Sequence, residues 1–385
     1  MRRVAGKPSS FFSMVIGEIT TERVPFYARH DKVLVTDSLD LGCMGYLAIL
    51  SPASPRDIFF LPHMVGDISA ADLSVIKHGD IVSVSGEGEI LIVWEMSSHQ
   101  NSLMLTEACD CLCKMCPQPP QKHDSTPFKA AERTLELLKG KNVGNICLTG
   151  GEPTLVPENF LSILRQCHTN SPNAQISILT NAKTFASEKF TKEVASATTA
   201  NDIFCVSLHS DVDSIHDEIV GRKGSYNETQ AGIYNLAKNR IGIEIRHVIS
   251  KLNYERLSEF AEHMYRYFPF CYHYAFMSME VHGLASKNAE LVYVDPIEYR
   301  EHLRKAVLIL HKRGLHVSIY NTPLCLCHED VRRFSRASIS AWKNIWADVC
   351  AMCSAQEVCC GFFSTSIMPI SPHIAPICGP PGDAL

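Results

Sequence analysis

Apolar residues recur along this chain with two different periods, and the change between them falls between residues 98 and 102. Before it, apolar runs are short and bounded by Gly, Pro, Asp or Ser, at 32–36, 57–61, 81–85 and 90–94. Runs of that length and composition predict strands, and the last two, separated by Gly86-Glu87-Gly88, predict a hairpin. After the change, short apolar runs alternate with longer stretches in which apolar residues return every three or four positions. Strands are predicted at 103–106, 145–149, 175–180, 203–208, 243–249 and 272–277, and helices at 128–138, 157–165, 187–195, 228–237, 255–267 and 295–312. Leu257, Phe260, Met264 and Tyr267 show the helical spacing, because side chains three and four apart share one face. Pro157 and Asp295-Pro296 mark helix starts, and 316–320 reads as one further strand.

Strands and helices in alternation predict a parallel sheet with right-handed crossovers. The expected fold class is α/β, a partial (β/α)6 TIM-like barrel, whose reactive side chains would stand at the C-terminal ends of the strands. The expected organisation is a small β-rich domain at 1–98, the barrel at 99–290, and a C-terminal region at 291–385. That last region holds a helix, an irregular Cys-rich stretch and a Pro- and Gly-rich tail expected to be loosely ordered. The first domain carries no catalytic signature; a structural or docking part is expected of it, and an exposed strand edge would suit an extended peptide.

With 46% hydrophobic and 20% charged residues, the composition is that of an ordinary globular protein. A net charge of −5 without long basic runs speaks against nucleic acid or an anionic membrane as partner. No apolar stretch reaches the roughly 18 residues of a spanning helix, and the start lacks signal-peptide features, so the expected compartment is the cytoplasm. The sixteen cysteines change the picture more. Cys43, Cys147, Cys167, Cys205 and Cys271 are scattered among apolar residues and are expected to be buried; four others lie within 109–116 and seven within 325–378. Two clusters and a scatter favour metal or iron–sulfur ligation over a disulfide framework.

Cys109, Cys113 and Cys116 stand at C-x3-C-x2-C spacing directly after the strand at 103–106. Three thiolates on one tight loop can hold three irons of a [4Fe–4S] cube and leave the fourth open for a small molecule. Structural zinc, which prefers four protein ligands in paired motifs, is the alternative, and Cys111 is an extra thiol on the loop. Gly150-Gly151-Glu152-Pro153 closes the second strand: the glycines permit close backbone approach and Pro153 fixes the turn. Asn181 ends the third strand, and Ser207 and His209 the fourth, where a polar side chain equally well satisfies neighbouring backbone groups. Arg246, inside the fifth strand, is either a bidentate clamp on a ligand carboxylate or the ion-pair partner of Glu244 or a neighbour. Cys325 and Cys350-x2-Cys353-x5-Cys359 offer four thiolates, a donor set for zinc or for a second cluster, with Cys327, Cys360 and Cys378 in reserve.

The loop spacing, followed one strand–helix unit later by Gly-Gly-Glu-Pro, resembles the radical S-adenosylmethionine (SAM) enzymes over 103–277. The resemblance implies a [4Fe–4S] cluster on Cys109, Cys113 and Cys116, with Gly150, Gly151 and Glu152 holding the amino group of SAM. It implies contacts to the rest of SAM from Asn181, Ser207, His209 and Arg246; Met115 stands where the family usually has an aromatic residue. Peptide-modifying members commonly carry auxiliary clusters in a C-terminal extension, which implies an auxiliary Fe–S cluster on Cys325, Cys350, Cys353 and Cys359. MCPQPP (115–120), VSLHSDVDSIHDEIVGRKGSYNET (206–229), EIRHVISKLNYERL (244–257), SIYNTPLC (318–325), SISAWKN (338–344) and CCGFF (359–363) resemble the HxsC-type maturases of His-Xaa-Ser systems. Cys360 stands where that family tends to have glycine. This closer resemblance implies reductive cleavage of SAM to modify a small His-Xaa-Ser repeat polypeptide, beside a second radical SAM maturase and with a ferredoxin- or flavodoxin-type electron donor. A sulfatase-maturase or thioether-forming peptide maturase is the alternative within the class, and a non-catalytic zinc or Fe–S scaffold is the one outside it.

Overall fold

The computed structural model describes residues 2–55, 61, 63–122 and 124–379. The chain falls into two compact units, each made of several segments: Met1–Thr106, Asp124–Leu148 and Glu158–Ile176 in the first, and Glu107–His123, Thr149–Pro157 and Ser177–Leu385 in the second.

The first unit contains an eight-stranded mixed sheet. Val15–Thr20 lies at its middle, antiparallel to Ile81–Val84 on one side and parallel to Lys32–Val35 on the other. The expected hairpin is present as Ile81–Val84 and Glu89–Trp94, and Glu89–Trp94 buries every second residue, as a strand with one covered face must. Ile19, Val33, Leu50, Val65, Val82 and Ile90 form the core beneath. The strand expected at 57–61 lies outside the described residues except for Leu61. Helix Thr126–Leu138 turns Leu135 and Leu138 inward, with Pro at its first turn where no amide hydrogen is needed.

The second unit is built on parallel strands. From Gln175–Thr180 the chain adds Ile203–Ser207, Gly242–Val248, His273–Met277, Val317–Tyr320 and the two-residue Ser335–Arg336, each pairing in parallel with the one before. This is the expected arrangement, with Ser335–Arg336 too short for periodicity to announce. Successive side chains point to opposite faces of a strand. Ile178, Phe204, Val206, Ile245, Tyr274, Phe276 and Ile319 are buried on one face, where Ser225–Lys238 packs on Gly242–Val248 and Pro296–Lys312 on Val317–Tyr320. The opposite face carries Leu179, Ser207, Glu244, Arg246, His273, Ser318 and Tyr320, an unusually polar row that calls for partners or a ligand. Asp295 starts Pro296–Lys312 with a capping box completed by Glu298, as its sequence promised. Helix Asp213–Val220 was not expected, because its polar residues hide the Ile215 and Ile219 spacing. Among the scattered thiols, Cys43, Cys167, Cys205 and Cys271 are buried as expected. Cys147 is half-buried instead, since alternation puts it on the other face of its strand from buried Ile146 and Leu148. Among the described residues no helix is long and apolar enough to cross a membrane.

Candidate active site

The loop that carries Cys109 to Cys116 is held by backbone contacts from three directions. Glu152 donates its amide to Ala108 O at 2.9 Å, and Leu284 donates to Cys116 O at 2.8 Å. From the loop, Leu112 and Lys114 donate to Val220 O and Ile219 O at 3.0 and 2.8 Å, which docks it on the end of helix Asp213–Val220. Two glycines make these approaches possible. A Cβ on Gly151 would lie 2.2 Å from Ala108 O; one on Gly221, at φ +67°, would lie 2.5 Å from Leu112 O. Met115 is buried among Ile219, Val281, Ala285 and Val292, so it anchors the loop as an apolar pin.

The loop walls a cavity of about 270 Å³, lined also by Thr149, Gly150, Gly151, Glu152, Leu179, Thr180, Asn181, Ser207, His209, His216 and Ser225. All four loop thiols reach it, but not alike. Cys109, Cys113 and Cys116 are half-buried, whereas Cys111 is 3% exposed and sits 3.9 Å from Asn181 Nδ2. Hydrogen bonds from Cys109 and Cys113, and then from Lys183, hold the Cys111 thiol well below its ordinary value. Lys183, itself buried, pairs with Asp110 at 2.7 Å and so fastens the loop to the residues after the third strand.

Glu152 is 1% exposed, and burial pushes its carboxyl up, against four donors that favour the charged form. Those donors are the Thr154 amide and hydroxyl, the Thr180 hydroxyl at 2.8 Å and the Asn181 amide at 2.7 Å. The carboxylate therefore ties the end of one strand to the next, while the Gly150-Gly151 backbone faces the cavity. Asn181 bridges to Asp110 through Nδ2 at 3.0 Å, and Ala182 takes a left-handed φ of +60°, a position that favours glycine. Ser207 lines the cavity; His209 is fully buried there, which holds its imidazole neutral, with Nδ1 accepting the Val248 amide at 3.4 Å.

Arg246 is not among the residues lining this cavity. Its Nε donates to Glu244, the ion pair that was one of its two expected readings. Sequence reasoning missed what this pair belongs to. Glu244 Oε2 also meets His273 Nδ1 at 2.8 Å, and His273 Nε2 meets Ser318 Oγ at 2.9 Å, a carboxylate–imidazole–hydroxyl chain across three adjacent strands. Burial alone would raise the Glu244 carboxyl, but His273 and Arg246 outweigh it and hold it at about 2. A carboxylate held below its unfolded value adds stability that is complete above that value, about 4.3, and is lost as pH falls towards the folded one. The two-unit gap corresponds to about 3 kcal/mol. In thermal melts of the metal-free protein, Glu244→Gln is expected to unfold earlier than wild type near neutrality, with the difference shrinking from about pH 5 downwards and closing only near pH 2. A difference that stays constant with pH would mean that Glu244 is not ionised in the fold.

The C-terminal thiols also converge. Cys325, Cys350, Cys353 and Cys359 line one small cavity with Trp346, Phe362, Ile374 and Ile377. Backbone amides point at the sulfurs, Leu324 N at 3.4 Å from Cys359 Sγ and Ile377 N at 3.3 Å from Cys353 Sγ. Neighbouring Cys360, followed by amides, holds the Cys359 thiol down at about 6. Cys360 itself is 2% exposed and turned away, on the side of buried Cys327, so Cys359 is the one that faces the cavity. The tail, expected to be loosely ordered, instead closes this site through residue 377: Ser354 donates to Ile377 O through both N and Oγ, at 3.0 and 2.8 Å. Its prolines and glycines concealed that role. Among the described residues no three His, Cys, Asp or Glu side chains gather as a set for a single metal ion; in both sites the sulfurs stand around a space.

The cysteine loop at 109–116 and the Gly-Gly-Glu turn at 150–152 both fall within the stretch that one family model matches. Residues 103–264 match the model of the Radical SAM superfamily, and the chain carries the radical SAM fold. Over 165 residues it is 24% identical to the sporulation killing factor maturation protein SkfB of Bacillus subtilis, which is 42% of this chain and 38% of that one. The chain thus spans well under half the length of that curated relative. Among solved structures it is similar to SuiB of Streptococcus suis bound to S-adenosylmethionine, at TM-score 0.47 and 18% identity over 57% of this chain and 49% of that one. It is also similar to a radical SAM methyltransferase from Sphaerobacter thermophilus, at TM-score 0.43 and 17% identity over 63% and 73% of the two chains.

Proposed function

We propose that this chain is a radical SAM enzyme that modifies a small peptide, and that its substrate is a His-Xaa-Ser repeat polypeptide. The observation that carries the reading is the loop: three half-buried thiols, Cys109, Cys113 and Cys116, face one cavity together with the Gly150-Gly151 backbone. That donor set fits a [4Fe–4S] cluster, which supplies, when bound, the electron that splits SAM into methionine and a hydrogen-abstracting 5′-deoxyadenosyl group. The chain's own part is position and exclusion of water. Gly150, Gly151 and Glu152 shape the wall beside the thiols; Asn181 couples that wall to the loop through Asp110; Ser207 and His209 line the same cavity. The Glu244–His273–Ser318 chain adds a row of hydrogen-bonded polar groups on the same sheet face as Ser207.

Cys325, Cys350, Cys353 and Cys359 are proposed to hold an auxiliary Fe–S cluster, a reading supported by their shared cavity and by amides aimed at two of the sulfurs. Zinc is the competing occupant of those four thiols. A ferredoxin- or flavodoxin-type donor and a second radical SAM maturase complete the proposed system, in the cytoplasm. The His-Xaa-Ser assignment rests on the runs at 206–229, 244–257, 318–325 and 338–344. The similarity to SkfB, whose name makes it a maturation protein, favours a second reading, a peptide maturase of another type.

The test is anaerobic reconstitution with iron and sulfide, addition of SAM and dithionite, and assay for 5′-deoxyadenosine, followed by mass spectrometry of a co-expressed repeat peptide. 5′-Deoxyadenosine with a mass change on the repeat peptide is the expected outcome. SAM cleavage without any change on that peptide moves the assignment to the second reading, and no cleavage by an iron-loaded protein overturns the class.

A further inference from the structure

Asn321, Ser338 and Phe363 belong to stretches singled out in the sequence, at 318–325, 338–344 and 359–363, yet none of them lines either thiol site. They meet at a third cavity, of about 80 Å³, which Asn321 and Phe363 line and where Ser338 holds Asn321. Ile249, Ser278 and Asn321 each follow a parallel strand directly, after Gly242–Val248, His273–Met277 and Val317–Tyr320. The cavity thus lies at the C-terminal strand ends, the end of the sheet at which Asn181 and Ser207 also stand. Pro323 and Phe362 line both this cavity and the second thiol site, so the two share a wall.

The lining selects an uncharged occupant. Met279, Tyr293, Phe362, Phe363, Met368 and Ile370 are all half-buried around the space. The segment that supplies four of them is pinned in place: Ile367 donates to Val281 O at 3.0 Å, and Ser371 Oγ to Asp295 Oδ1 at 3.0 Å. None of the described lining residues is charged. The buried hydroxyls satisfy one another, Tyr299 with Ser278 and Ser278 with Thr322, each at 2.5 Å. A charged group would enter without a counter-charge in the wall, at a high desolvation cost. At about 10–15 Å³ for each water, the space would hold several waters or one small ring.

Asn321 adds a directed polar group. Its backbone takes a left-handed φ of +61°, which asparagine tolerates better than most residues. Its Oδ1 accepts from Ser338 Oγ at 2.8 Å, and its Nδ2 donates to Ser278 O at 3.3 Å. A carbonyl can only accept, so these bonds fix which end of the amide is which. They leave one Nδ2 hydrogen and one Oδ1 lone pair without a partner among the described residues, on a side chain that is only half-buried. A neutral imidazole has apolar faces for the aromatic and thioether walls. In its plane it carries one N–H and one lone pair, and either matches what Asn321 offers.

We propose that this cavity seats the neutral imidazole of a histidine in the peptide substrate, with one ring nitrogen bonded to the Asn321 amide. The inference rests on the His-Xaa-Ser reading above, and it adds where on the chain that substrate is recognised.

The test is equilibrium binding of a fluorescently labelled His-Xaa-Ser repeat polypeptide to the reconstituted protein, with its histidines intact or replaced by alanine. Asn321→Gly removes the amide while suiting the positive φ. It is expected to bind the intact peptide about tenfold more weakly and the alanine peptide just as wild type does. Ile370→Trp, which fills the cavity, is expected to bind the two peptides alike. Both variants should keep wild-type iron content and circular dichroism. Equal losses for both peptides in Asn321→Gly would make Asn321 a support of the fold, and the imidazole assignment falls. Wild type that binds both peptides equally well overturns the seat while leaving the peptide reading intact. Wild type that holds iron and binds neither peptide overturns the His-Xaa-Ser reading, and the seat with it.

Discussion

Cys113→Ala is expected to abolish SAM cleavage and to lower the iron content of the reconstituted protein by about four per chain. The same is expected of Cys109→Ala, while Cys111→Ala keeps both iron and activity. The distinction follows from exposure. Cys109, Cys113 and Cys116 are half-buried at the cavity, and Cys111 is turned into the wall beside Asn181 and Lys183. A cluster on the first three leaves Cys111 as a polar wall residue, whose loss leaves Lys183 still paired with Asp110. Iron analysis and product assay on the three variants decide the matter; full iron in Cys113→Ala and depleted iron in Cys111→Ala would exchange the two residues' places.

Gly151→Ala should be nearly as damaging, although it removes no ligand and no charge. Its new methyl would stand 2.2 Å from Ala108 O, and backbone cannot rotate aside as a side chain can. Overpacking a rigid contact costs about 1–3 kcal/mol or more, here concentrated where Glu152 N meets the same carbonyl. We expect the loop to lift, with cluster incorporation reduced severalfold and SAM cleavage reduced at least a hundredfold, because a misplacement of about 1 Å at a reacting centre can cost that much. Global stability should change little beyond that local cost, so a melting temperature near wild type together with lost activity is the expected signature.

Much of this was legible in the chain itself. The strands from Gln175–Thr180 to His273–Met277 were visible because apolar runs separated by amphipathic helices have few other arrangements. The cysteine loop was visible because thiol spacing is a covalent fact. Arg246 was harder: Glu244 lies two residues away, on the same face by strand alternation, and that signal favoured the ion pair. His273 and Ser318 could not be joined to it from sequence, since their meeting depends on the register of three separate strands. His216 stayed hidden because Asp213–Val220 was not recognised as a helix, and a polar residue on an unrecognised helix gives no hint of burial; Ser225 lies just ahead of the stretch 228–237 that was read as helical. The order of residues 371–377 depends on hydrogen bonds to Cys353 and Ser354, which composition does not report.

That order has a consequence for how the protein is made. The second cavity takes its thiols from Cys325 to Cys359, but Ile374 and Ile377 supply part of its wall and an amide for Cys353. While the ribosome is still adding these residues, the four thiols are already synthesised and their pocket lacks one side. The wall of this pocket is therefore complete only once residue 377 has emerged, whereas the Cys109–Cys116 loop has the backbone supports named above once Leu284 has emerged.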